Sequence, residues 1–142
     1  MPPSAGGYVP PPERLERGVS ALLSFAATLS EEQWKVRVPK DGRTVGVIVH
    51  HVASVFPIEI QLAQTLASGK DITGVVWDTV HDMNAGHARD HADVTKAEAL
   101  ELLRCNSEVA AAAIRALSNE ELNRAARVSF RGRTWRRPGR RV

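Results

Sequence analysis

Imidazoles are the residues of this chain best suited to chemistry, and the chain has five. His51 lies in the segment RTVGVIVHHVASVFPIEIQLAQTLASG, on the stripe traced by Ile48, Val52, Val55, Leu62 and Leu66. Those steps of three, four and seven follow one side of a 3.6-residue helix, so His51 is expected on the buried face, while His50 turns about 100° away. Burying an imidazole costs free energy unless its ring nitrogens find an acceptor or a metal. A single histidine in such a place is more often a satisfied core residue than a ligand, and one imidazole cannot hold a metal tightly. His87 and His91, in HARDH, have the i, i+4 spacing that puts two imidazoles on one helical face, so they could add two ligands if that face meets His51. The plainer reading is a solvated helix with Arg89, Asp90 and Asp93 in surface pairs.

The other candidates offer less. His81 and Asp82, beside Trp77, could line a pocket mouth or simply form a polar loop, and Glu59 sits at the edge of the apolar stripe beyond Pro57. Arg104 could lower the pKa of Cys105, yet that thiol has neither a helix N-terminus nor an adjacent base to activate it. There is no Ser/His/Asp order, glycine-rich phosphate loop or Cys-x-x-Cys pair.

The elements that must position these residues all read as helices. One runs over about 12–29, with Leu15, Val19, Leu22, Ala26 and Leu29 inward. SEEQ at Ser30–Gln33 has capping-box spacing and opens a short turn carrying Trp34. The histidine-bearing helix runs from a Thr44 cap to Gly69, and Pro57 predicts a bend near 53–57, because its ring crowds the Ala53 carbonyl. The stretch 70–94 is too long for a tight turn. It predicts a crossover with a short helix around 77–92, which makes the next helix, 95–117, parallel to the second. That helix opens on the TKAE capping box and buries Leu100, Leu103, Ala110, Ile114 and Leu117. SNEE at Ser118–Glu121 opens one more turn. No stretch alternates with period two, so the expected class is all-α, an up-down-down-up bundle whose fourth helix is replaced by RGRTWRRPGRRV.

A chain of 142 residues suits one domain, here 12–126, with a proline- and glycine-rich arm at 1–11 and a basic, disordered tail at 127–142. Apolar content of 43% and charged content of 25% fit a globular protein, and no unbroken apolar run reaches the ~18 residues of a membrane span. A single cysteine excludes an internal disulfide and suits a cytoplasmic setting. From Arg124 onward there are eight arginines and no acid; subtracting eight from the net charge of +3 leaves −5 for the rest. Such a run is usually a solvated end, and nucleic-acid binding is the lesser reading.

Four pieces in order, LSEEQWKVRVP, GRTVGVIVHHVA, DMNAGHARDHADVTKAEALELLR and ALSNEELNRAARVSFRGRTW, resemble the DinB-like superfamily, which includes the YfiT-like proteins and mycothiol-dependent maleylpyruvate isomerases. The resemblance covers about residues 13–135. It implies a four-helix bundle in which a second-helix histidine and a His-x-x-x-His or Glu-x-x-x-His pair on the fourth helix hold a divalent metal, zinc or nickel. Carried over by position, the second-helix ligand is His51, seven residues after Thr44. The fourth-helix pair has no counterpart here, so the resemblance implies an incomplete site binding metal weakly. It further implies a metal-dependent hydrolase or a transferase or isomerase using a low-molecular-weight thiol, on a small-molecule substrate the sequence does not reveal. The alternative is a non-enzymatic interaction module that forms a homodimer, or binds a partner helix, through an uncovered apolar groove.

Overall fold

The structure, a computed structural model, describes residues 9–124 and 128–131. Its elements are α1 (Pro11–Thr28), α2 (Glu31–Trp34), α3 (Val45–Ala67), β1 (Ile72–Val76), α4 (Trp77–Asp90), α5 (Lys96–Arg115), α6 (Asn119–Asn123) and β2 (Val128–Arg131). The caps form where the sequence puts them. Ser30, Thr95 and Ser118 each complete a reciprocal capping box, and the Thr44 hydroxyl accepts from the Val47 amide.

Two layers of the core fix the helix directions. Ala26 of α1 packs at the level of Val49 and Ala99, and Val19 at the level of Ala53 and Leu103. Numbers rise together along α3 and α5 and fall along α1, so α3 and α5 run parallel, as the long connection between them requires, and α1 is antiparallel to both.

α3 differs from the expected helix in the face it buries. Its buried residues are Gly46, Val47, Val49, His50, Ala53 and Ala67. The expected stripe of Ile48, His51, Val52 and Val55 is only half-buried. Two of the buried positions are small residues, Gly46 under the Trp34 indole and Ala53 fully covered, and a pattern that ranks positions by apolar bulk passes over both. A Cβ on Gly46 would stand 2.5 Å from the Trp34 indole, so only glycine fits under that ring. At Pro57 the helix is unbroken, running from Val45 to Ala67. The Ala53 carbonyl, which loses its helical donor to the proline, accepts instead from Asn106 Nδ2 of α5 at 2.9 Å.

The fold is mostly helical, as expected, with one short pair of strands added. β1 and β2 pair in parallel, Ile72 opposite Val128 and Val76 opposite Arg131, with an irregularity between Ile72 and Val75. Val128–Arg131, expected in a disordered tail, therefore belongs to the fold; the pairing is non-local and leaves no mark on either short segment. The arm at 1–8 and the tail at 132–142, where a fourth helix was expected to be missing, lie outside the described residues. α3 is also long and apolar enough, by length and composition, to cross a membrane. Counting unbroken apolar runs overlooks this; in the fold α3 packs chiefly along α5, on which α1 also packs.

Candidate metal centre

The crossover carries α4 back along α3 and ends beside the start of that helix. His91 caps the C-terminus of α4, its amide bonded to the His87 carbonyl at 3.0 Å, so the HARDH histidines stand one turn apart. The link to α5 is tethered twice: the Val94 amide donates to the His91 carbonyl at 3.1 Å, and the Val94 carbonyl accepts from Trp34 Nε1 at 2.9 Å. Trp34 lies over Gly46, so one indole fixes the end of α4 against the first turn of α3.

His50 projects from α3 into this junction, 8% exposed. Its ring centroid lies 5.0 Å from that of His87 and 4.1 Å from that of His91, with His87 and His91 4.8 Å apart. Ligand nitrogens of the three imidazoles all lie within 4.8 Å of one another. The i, i+4 pair therefore does meet the second long helix, and His50 is the residue there that shares the ligand cluster. His51 stands alongside, its ring edge-on to His87 at 5.2 Å.

Three of these rings, His50, His51 and His87, are pushed toward the neutral form. Burial, then the His50 and His91 rings, holds His87 at about 4. Burial lowers His50, helped by His91 and opposed by Glu98; burial and Arg43 lower His51, opposed by Asp41. Neutral imidazole is the metal-binding form. His50 Nδ1 and His87 Nε2 are 2.8 Å apart, a separation that calls for one shared proton between two ring nitrogens. Nitrogens bound to one tetrahedral zinc stand roughly 3.3 Å apart, so an ion would replace that proton after a small parting of the rings. His87 Nδ1 is buried without a hydrogen-bond partner. Three imidazole nitrogens within reach of one point fit a divalent ion of borderline softness such as zinc.

A hairpin before α3 borders the centre. Arg37 and Thr44 form its antiparallel bridge, and Lys40 and Gly42 take positive φ in its turn. Asp41 accepts from the Arg43 amide, from Nε at 2.7 Å and from Nη2 at 2.8 Å. The Arg43 guanidinium beside Asp41 holds its carboxyl down at about 2. Arg43 Nη1 takes no part in this fork and is buried without a partner.

A family model described as the DinB superfamily matches residues 14–142. The chain belongs to the DinB superfamily. No curated protein and no solved structure matches it.

In this DinB-superfamily chain the remaining candidates stay away from the centre. His81 and Asp82 are exposed, His81 edge-on to Trp77 at 6.2 Å, and Glu59 is exposed on α3. Cys105 is exposed too, and Arg104, the neighbour that could lower its pKa, pairs with Glu101. That same carboxylate accepts from the Cys105 thiol and pushes its pKa up. The residues missed from the sequence are His50 and Arg43. Gly46 and Ala53, four before and three after His50, were the available sign that His50 faces a neighbouring helix.

Proposed function

We propose that this chain is a metal-binding DinB-superfamily protein whose ion, zinc or nickel, is held by His50, His87 and His91. The observation that carries the reading is the convergence of three imidazoles from two helices, with ligand nitrogens within 4.8 Å. Three protein ligands with one open position is the usual composition of a catalytic zinc site, so the reading replaces the incomplete site expected from His51 alone. His51, at the position the family resemblance assigns to a ligand, flanks the open side of His87. A bound ion would polarise a substrate carbonyl or activate a water or thiol. The protein's own part is to present the three imidazoles together, with Trp34 and the Val94 link fixing α4 against α3. That chemistry suits a hydrolase or a thiol-dependent transferase or isomerase.

The test is equilibrium dialysis against zinc and nickel with elemental analysis. One ion per chain, lost in His50→Ala, His87→Ala and His91→Ala, is expected. Substoichiometric binding abolished only by His51→Ala would return the site to the family position, and no binding would favour the interaction-module reading.

A further inference from the structure

α3 holds one acid, Glu59, and no lysine or arginine, yet only 28% of its apolar 18-residue stretch is buried. Ile48, Val55 and Leu62, spaced at sevens, stay half-buried. Val55 and Leu62 lie roughly 160–180° round the helix from Ala53, which shares a core layer with Leu103 of α5, so this line is the side of α3 turned from its main neighbour. α1 repeats the pattern: Leu15 and Leu22, also seven apart, are half-buried, and Phe25 on their outer flank is 59% exposed. Leu22 packs against both core layers, with Val45 of α3 in one and Val52 in the other. The antiparallel α1 and α3 therefore stand side by side on α5 with an apolar groove between them. Apolar residues repeating at sevens are the pattern that another helix meets by knobs-into-holes packing.

We propose that this groove docks a second copy of the chain, α1 and α3 of one copy against α1 and α3 of the other in a twofold dimer. Residues 1–8, 125–127 and 132–142 hold Met1, Tyr8, Trp135 and Val142 as their large apolar side chains besides proline, against six arginines, too few to supply a covering stripe. The face is also charge-balanced, as one that meets itself must be, because like charges set against their own copy repel. Arg14, on the same side of α1 as Phe25, and Glu59 of α3 carry opposite charges on its two rims, and neither has an ion-pair partner among the described residues. Size fits as well. α1 and α3, 18 and 23 residues long, offer about 27 Å of paired helix at a width of about 10 Å each, roughly 500 Å² per copy, and two copies reach the ~1,000 Å² of a specific dimer. The dimer needs no metal and stands independently of the histidine centre.

The experiment is sedimentation velocity of the full chain over a hundredfold range of concentration, with and without a chelator. A reversible equilibrium between monomer and dimer is expected, unchanged by the chelator. Phe25→Asp and Arg14→Glu, both at exposed positions, should weaken the dimer at least tenfold, whereas Val109→Asp, at a position 70% exposed on α5, should leave it intact. Val55→Arg, placed in the line itself, should give a monomer whose helices are checked by circular dichroism; if that variant does not fold, Phe25→Asp and Arg14→Glu decide. A monomer at every concentration would overturn the proposal, as would a dimer indifferent to both of those changes. A dimer lost in the chelator would be a metal bridge, and flotation of the chain with phosphatidylcholine vesicles, abolished by Phe25→Asp, would assign the groove to lipid; either result sinks the second copy as its occupant.

Discussion

Asn106 of α5 donates through Nδ2 to the Ala53 carbonyl at 2.9 Å, taking the place of the amide hydrogen that Pro57 lacks. The bond ties the two parallel helices at the level where Ala53 and Leu103 are fully buried. Asn106→Ala leaves that carbonyl without a donor and should cost about 1–3 kcal/mol. Pro57→Ala restores a helical donor, so the cost of Asn106→Ala should shrink markedly in the double variant. A double-mutant cycle by urea unfolding checks this; additive effects would show that Asn106 does not serve the proline.

Gly46 bears the Trp34 indole so closely that any Cβ must displace it. Gly46→Ala should destabilise the fold by about 1–3 kcal/mol, as overpacking does, and change the tryptophan fluorescence. Trp34→Phe keeps the ring but loses the bond to Val94, and should cost about 1 kcal/mol and loosen the end of α4. Hydrogen exchange at Val94 reads the second effect.

Stability of the metal-free protein should fall on acidification between about pH 6.5 and 4. His87 titrates near 4 in the fold against an ordinary 6.5, with His50 and His51 shifted the same way. In that window the unfolded chain binds more protons than the folded one, so stability rises with pH, at most about 1.4 kcal/mol per pH unit for each histidine. Denaturant unfolding at several pH values should show this slope, reduced in His87→Gln.

Zinc should stabilise the chain against unfolding, by about 2.7 kcal/mol at a hundredfold excess over its Kd, if it binds only the folded form. Thermal scans with and without zinc check this. His50→Ala should abolish the shift, whereas Glu59→Ala, on the exposed side of α3, should leave it intact.

Cys105 should be a slow thiol despite its exposure. Glu101 holds its proton and raises its pKa, and the thiolate is the reacting form. Its rate with a disulfide reagent at pH 7 should lie below that of a free cysteine and rise in Glu101→Gln.

Local signals in the sequence determined the helices and their ends. Capping boxes at Ser30, Thr95 and Ser118, the Thr44 cap and the 3.6-residue periods are properties of short segments; the caps form as read, and the helices form, though α3 buries another face than its apolar stripe. The 70–94 connection was enough to make α3 and α5 parallel, and the spacing of His87 and His91 to put both on one face. Which of two adjacent histidines they meet was decided only by the tertiary structure. His50 and His51 differ by about 100° around α3, and the choice between them depends on where α5 and the end of α4 press. Small residues at Gly46 and Ala53 and the Trp34 indole set that contact through close approach, which hydrophobic bulk does not encode. The same holds for β1 and β2, for the Asn106 bond at Pro57 and for the stranded Nη1 of Arg43: each depends on a partner distant in the chain, and no local pattern specifies one.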